Sequence, residues 1–344
     1  MANPLGALGL TLPVLAAPMA GGASTTALLT AAARSGTLGF LPAGYATTEA
    51  LAQRVADARA QDIPFGVNVF APNPLPVDPE AFRAYARLIQ PEADRYGLDL
   101  TGSEPVEDDD AFAEKCDLLL HDPVPLVSFT FGIPERSVVT ALRRAGTVVL
   151  QTVTNAAEGR AAADAGVDAV IVQAAAAGGH SATLTPREPL PQTPLDELVA
   201  QLRHAVELPL FAAGGVSAPG DVTRALRAGA EAVMVGTALL RTHESGAAPA
   251  HQAALADPGQ RGTVLTHAFT GRPARAVRNR FTDRYPDERA PYGYPALHHL
   301  TSALRRSAAR AGDPDALHLW AGTGHRLARE EPAEDTFTRL AGTV

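Results

Sequence analysis

The sequence predicts an α/β fold, a (β/α)8 barrel with a small helical lid domain, on three observations. Eight short apolar runs recur along the chain, at residues 13–17, 38–41, 65–69, 126–130, 148–151, 169–172, 210–213 and 232–235. Between several of them lie amphipathic stretches such as TTALLTAAARSG and PGDVTRALRAGA, each stopping at a glycine suited to cap a helix. The last two runs end directly in glycine, as strands do where they lead into ligand loops. Eight alternating units favour a closed barrel, although an open doubly wound sheet with extra strands fits the same alternation.

The N-terminal stretch MANPLGALGLTLPVLAAPMAGG has no Lys or Arg before its apolar part, and Pro4 and Pro13 interrupt it, so it makes a poor signal peptide. It reads as a first strand entering a ligand loop. The third run, PFGVNVF, carries Asn68 near its end. Residues 71–115 are rich in Pro, Asp and Glu with helical stretches between, an excursion of the kind that helps shape a site. In the sixth unit, VDAVIVQAAAAGGHSAT, Val170, Ile171 and Val172 read as buried strand and Gln173 as its polar mouth. Gly178 and Gly179 then let the backbone come close to something, and His180 is the first following side chain able to move a proton near neutral pH. These readings divide the chain into a barrel at 1–240, a helical lid at 241–310 over the barrel mouth, and a C-terminal segment at 311–344, helical around 317–340, that packs back on the barrel.

Composition narrows the function. The 344 residues are 46% hydrophobic and 19% charged, ordinary for a globular chain. Net charge is -8 with arginines spread along the sequence, so the basic patch required by nucleic acid or an anionic membrane is lacking. Cys116 is the only cysteine, which excludes an internal disulfide and a thiolate-rich metal site and suits a reducing cytoplasm. His298 and His299 are adjacent and would diverge on a helix, and no HExxH occurs, so no metal is expected. The acidic run from Glu107 to Asp110 reads as a solvated loop or helix start. Tyr292 and Tyr294 either line a pocket from the lid or simply pack. Arg272, Arg275 and Arg278 either hold lid to barrel or meet an anionic substrate.

Gly214 and Gly215 after the seventh run, with Gly236 and Thr237 after the eighth, suit a phosphate held by backbone N–H groups, because a Cβ would block that approach. Tight turns alone would also explain them. An Asn at one strand end (Asn68) and a Gln at another (Gln173) offer amides to the ring edge of a flavin mononucleotide, FMN, and equally serve as loop caps.

The motifs APMAGG, PFGVNVF, VSFTFG, VQAAAAGGH, FAAGGVS and VMVGTALLRTHES occur in the order found in nitronate monooxygenases, and the likeness continues through TGRPARAVRNRF and LWAGTGHRLA. The chain thus resembles that family over nearly its whole length. The resemblance implies an FMN-bound TIM barrel that oxidises alkyl nitronates with O2, releasing nitrite and a carbonyl product. By position it implies Met19, Asn68, Gln173, Gly179, Gly214, Gly215, Gly236 and Thr237 as the flavin set and His180 as the catalytic histidine beside the substrate. The sequence departs from the family at Ala174 and Ala176, where a glycine and a glutamate are usual, and at Thr130, where some relatives carry histidine. Loss of the carboxylate is expected to leave His180 less oriented or with a lower pKa, and Thr130 to leave it the only imidazole of these motifs. An FMN- and NAD(P)H-dependent enoyl-acyl-carrier-protein reductase shares the AGGH type of motif and is the alternative. A flavin-free phosphate-binding barrel and a flavin carrier without catalysis are further ones.

Overall fold

The computed structural model describes residues 9–259 and 261–342. Residues 1–8 of the expected barrel segment and 343–344 of the C-terminal one lie outside it. Eleven strands are present: β1 Val14–Ala16, β2 Gly39–Pro42, β3 Phe65–Ala71, β4 Leu126–Phe131, β5 Val148–Val153, β6 Ala169–Gln173, β7 Gly179–His180, β8 Leu210–Ala213, β9 Ala232–Val235, β10 Thr263–Thr266 and β11 Ala274–Val277. The eight predicted runs are β1–β6, β8 and β9, and they close into a parallel barrel in that order. Closure rests on β1 beside β9, with Val14 opposite Val233 and Ala16 opposite Val235, which rules out the open sheet.

Side-chain alternation along these strands fills two layers. Leu15, Phe40, Leu150, Ile171, Phe211 and Met234 pack together inside the barrel. Their neighbours Val14, Ala16, Val149, Val170, Val172 and Val233 face outward onto the helices. The helices begin and end where the side chains dictate. Thr25, Thr47 and Asn155 accept hydrogen bonds from first-turn amides, and Gly166 ends the helix Ala156–Ala165 at φ 91°.

Over the C-terminal ends of the strands lies a second core. Phe82, Tyr85 and Ile89 of the helix Pro79–Asp94, from the excursion after β3, pack on Phe269, Phe281, Leu297, Leu300 and Leu304. Segment 241–310, expected to be helical, also contributes β10 and β11, which form an antiparallel sheet with β7. His180 is opposite Ala274 there, and Gly179 opposite Arg275. These strands are too short, at four, four and two residues, to show a period in the sequence. The tail has one 3-10 turn at His325–Leu327 and its α-helix only at Ala333–Ala341, which packs Phe337 and Leu340 into the outer barrel core. Trp320, expected within that helical tail, instead bridges to Ala276. Among the described residues no helix is long and apolar enough to cross a membrane.

Candidate active site

The strand ends and the second core enclose a cavity of about 1590 Å³. Met19, Asn68, Gln173, Gly179, His180, Gly214, Gly215, Gly236 and Thr237 all stand on its wall. Topology explains the convergence. They come from five barrel strands: Asn68 lies within β3 and not at its end as expected, and the others end or follow β1, β6, β8 and β9, so residues more than 200 positions apart meet at one end of the barrel.

The loop leaving β6 is pinned from three sides. Gln173 Nε2 donates to the His180 carbonyl at 3.2 Å, while its Oε1 accepts from Ala182 N at 2.8 Å. Buried Arg272 donates to the carbonyls of Ser181 and Thr183. Glu158, also buried, accepts from Thr183 Oγ1 and Leu184 N. Gln173 therefore lines the cavity and at the same time fixes the segment carrying His180. The neighbour that requires glycine at 178 is the chain itself, since a Cβ there would lie 2.5 Å from Ala321 C and Gly322 N. Gly179 has φ 78°.

Three turns meet at one end of the cavity. Gly214 and Gly215 have φ of 104° and 79°, so backbone conformation alone favours glycine there. Gly236 is different: its φ is -116°, and an added Cβ would make only ordinary contacts, the nearest at 3.5 Å from Met19 Sδ. The amides of Gly215 and Val216 have no hydrogen-bond partner among the described residues. Thr237 Oγ1 accepts from Gly322 N at 2.9 Å, which leaves its own proton available. Residues 322–324 thus complete the turn cluster. Asp221 caps the neighbouring helix by accepting from Ser217 N and Ala218 N, so those two amides are already used.

Asn68 is buried on β3. Its Nδ2 donates to Ser128 Oγ at 2.9 Å and Thr130 Oγ1 at 3.0 Å, leaving Oδ1 without a donor among the described residues. Thr130 also lies 3.4 Å from Thr152 Oγ1. Ala176 is packed under the turn cluster, its carbonyl accepting from Thr323 N at 3.1 Å. Ala174 is buried beneath Gly214, where an added Cβ would lie 2.8 Å from the Ala174 carbonyl oxygen.

His180 is set among Phe131, Tyr294 and Trp320, with ring centroids at 5.7, 5.7 and 5.4 Å. Burial, with the charges of Arg272 and Arg305, pushes its pKa down to about 3. The imidazole is therefore neutral at physiological pH. Its Nε2 is 2.9 Å from Thr270 Oγ1. Arg272 sits 4.2 Å from the centre of the Phe131 ring, and its Nη1 has no partner. Arg305 donates to Thr301 Oγ1 and to the His298 carbonyl. Neither guanidinium spends its charge on a carboxylate in these bonds, and although burial pulls both pKa values down to about 10, both remain cationic.

Several wall residues had no clear sequence signal. His251, His298 and His318 line the cavity too, so His180 is not its only imidazole. Burial pushes the pKa of His251 down to about 4, and those of His298 and His318 well below the usual range. Tyr45, Arg305 and Trp320 complete the wall. Tyr294 lies on it, whereas Tyr292 stacks on His267 with ring centres 4.2 Å apart. Arg275 Nε donates to the Ala175 carbonyl at 2.7 Å, and Arg278 pairs with Asp283, so these two arginines are structural. Of the acidic run, Glu107, Asp108 and Asp109 form an exposed loop, and Asp110, just before the helix Phe112–His121, forms a 2.7 Å ion pair with fully buried Lys115. Among the described residues no group of three or more His, Cys, Asp or Glu could hold a metal ion.

Residues 3–341 match the sequence model of the nitronate monooxygenase family. A probable nitronate monooxygenase from Staphylococcus aureus strain Newman is 32% identical over 343 residues, 98% of this chain and 95% of that protein. Nitroalkane oxidase from Streptomyces ansochromogenes superposes with a TM-score of 0.91 at 45% identity, over 98% of this chain and 97% of that one. FabK from Thermotoga maritima superposes with a TM-score of 0.75 at 24% identity, over 99% and 95% of the two chains, and shares the fold. A family match over residues 3–341 has one reading: the chain belongs to the nitronate monooxygenase family and is an oxidoreductase of that family.

Proposed function

We propose that this chain binds FMN along the glycine-lined end of the cavity and oxidises alkyl nitronates with O2 to a carbonyl product and nitrite. The observation that carries this reading is a neutral imidazole, His180, lying on the same cavity wall as the turn cluster and in the field of two guanidinium groups without carboxylate partners. FMN, when bound, accepts electrons from the substrate and returns them to O2.

The residues fit such a group. The free amides of Gly215 and Val216 and the Thr237 hydroxyl proton are donors for a phosphate, with Gly214 setting the turn. Nothing in the surrounding chain demands glycine at 236, whereas a ligand approaching that turn would. The unused Asn68 Oδ1 can accept from a ring N–H, and Met19 and Gly179 border the same space.

Substrate charge follows from the electrostatics. Arg272 and Arg305 favour an anion, and a histidine with so low a pKa is a weak base for a C–H proton. A nitronate arrives already deprotonated and requires of His180 only a hydrogen bond. Neutral nitroalkanes are the slower substrates on this reading. The chain's place is a reducing cytoplasm, with small-molecule substrate and O2 as its partners.

The test is anaerobic addition of ethyl nitronate to the purified yellow protein, followed by air. Bleaching and recovery of the visible spectrum with release of nitrite are expected. Bleaching by NAD(P)H with reduction of an enoyl thioester, and no response to nitronate, would favour the reductase instead.

A further inference from the structure

The acidic run borders the cavity mouth, with Glu107, Asp108 and Asp109 exposed and Asp110 turned inward. Asp110 Oδ1 accepts from Tyr45 N at 2.9 Å and Asp110 Oδ2 pairs with Lys115, while Asp108 is 2.8 Å from Nε2 of His299 on the helix Ala296–Ala311. One short segment therefore ties the loop after β2 to the lid. Tyr45, Asp110 and Ala111 hold left-handed backbone with φ of 64°, 58° and 52°, a conformation disfavoured for residues with a Cβ. Tyr45 presents one face to solvent. The other stacks on His298 at 3.9 Å, and its hydroxyl accepts from Tyr294, which stands against His180.

We propose that Tyr45 is a specificity-determining residue at the cavity mouth and that Asp110 is the positioning residue that holds it there, so that the strap at 107–111 limits the length of nitronate that reaches His180. The substrate class in this statement rests on the function proposed above. Lys115 supplies the counter-charge that keeps Asp110 seated. A chain that extends past His180 toward solvent has to pass the Tyr45 and Tyr294 rings.

Trp320 gives a readout that needs neither flavin nor turnover, being the only tryptophan in the chain and lying on the cavity wall. Acrylamide quenching of its fluorescence should rise severalfold in Asp110→Ala/Lys115→Met, which removes both members of the pair so that no buried charge is stranded. Tyr45→Ala should do the same and serves if the double variant does not fold. Asp110→Asn/Lys115→Met keeps an acceptor for Tyr45 N and should return quenching to the parent value. In turnover, the preference for hexyl over ethyl nitronate in kcat/KM should rise roughly 10-fold in the two opened variants, through KM. Parent-like quenching in both opened variants overturns the proposal, as does raised quenching with unchanged chain-length preference in an active enzyme. If the parent oxidises no nitronate, the proposed function fails, and the quenching series still decides whether Asp110 and Tyr45 close the mouth.

Discussion

His180 Nε2 lies 2.9 Å from Thr270 Oγ1, and the same hydroxyl is 3.3 Å from the Arg272 carbonyl. One hydroxyl thus faces two acceptors and has one proton. When it donates to the carbonyl, His180 must carry its proton on Nε2 and Nδ1 is a lone pair; when it donates to Nε2, Nδ1 becomes the N–H. Thr270 therefore allows the imidazole either to accept a proton or to donate a hydrogen bond at Nδ1.

Thr270→Val keeps the shape of the side chain and removes that exchange. Without a partner at Nε2, the ring loses both its orientation and its choice of tautomer. We expect turnover of ethyl nitronate to fall by about 10-fold while flavin content stays at the parent level. Steady-state rates, normalised to bound flavin, check this. Loss of flavin along with activity would place the residue in the fold and not in the chemistry.

The low histidine pKa values predict a pH dependence of stability. His180 and His251 have folded values of about 3 and 4, below the ordinary value of 6.5, and His298 and His318 are shifted in the same direction. Above pH 6.5 these rings are neutral in both states and contribute no slope. Below it the unfolded chain takes up protons that the folded chain refuses, so stability falls as pH drops from 6.5 toward 4. Each such ring adds up to about 1.4 kcal/mol per pH unit to that fall. Urea unfolding of the flavin-free protein between pH 4 and 7 should show it, and His251→Gln should lessen the slope. A flat profile would mean that cavity water solvates these rings.

The barrel was legible because each strand is a mostly apolar run and the turns after several of them, β8 and β9 above all, begin with glycine. Pairing of β7 with β11 was not, because two residues of strand leave no period to detect. The predicted wall residues were legible for a local reason: all but Asn68, which lies within β3, end or closely follow a barrel strand. Arg305, His298 and Tyr45 reach the same cavity through tertiary packing. In the sequence His298 reads only as a poor metal ligand beside His299, and Arg305 on the helix Ala296–Ala311 looks like any solvated helical arginine until the fold buries it. Gly178 gave a correct signal, close approach of backbone, but its neighbour is residues 321–322 and no sequence pattern links segments so far apart.

Gly236 separates cradle from fold. Its φ of -116° suits any residue, and Met19, the nearest neighbour of an added Cβ, is flexible enough to move. Gly236→Val should therefore fold with a melting temperature close to the parent's and lose its bound flavin. Gly214→Val is the contrasting case, with φ 104° and a carbonyl 2.8 Å from the new Cβ, and should fail to fold. Absorbance at 450 nm against protein concentration, with mass spectrometry of the released flavin, decides both this and the choice of FMN over FAD. Full flavin retention in Gly236→Val would remove the phosphate from this turn.

His180→Asn asks whether the imidazole moves a proton or only positions substrate. Asn places its amide near the position of Nδ1, too short to reach Thr270 but able to hydrogen-bond a nitro oxygen, and no flavin contact is assigned to the imidazole, so the visible spectrum should remain that of the parent. A neutral nitroalkane must lose a C–H proton before it can be oxidised; the imidazole is a weak base here but an amide is none, so turnover, slow in the parent, should fall further, by roughly 10²-fold. A nitronate has no such proton to lose. Arg305 on the cavity wall and the field of buried Arg272 are left in place by the substitution, so the nitronate's kcat/KM should fall much less. The folded pKa near 3 adds a second expectation: His180 itself imposes no rise or fall on nitronate kcat/KM between pH 5 and 8, because the ring is neutral throughout. Equal losses on the two substrate forms would reduce His180 to a positioning role, and no loss on either would leave Arg305, on the cavity wall, to hold the substrate without it.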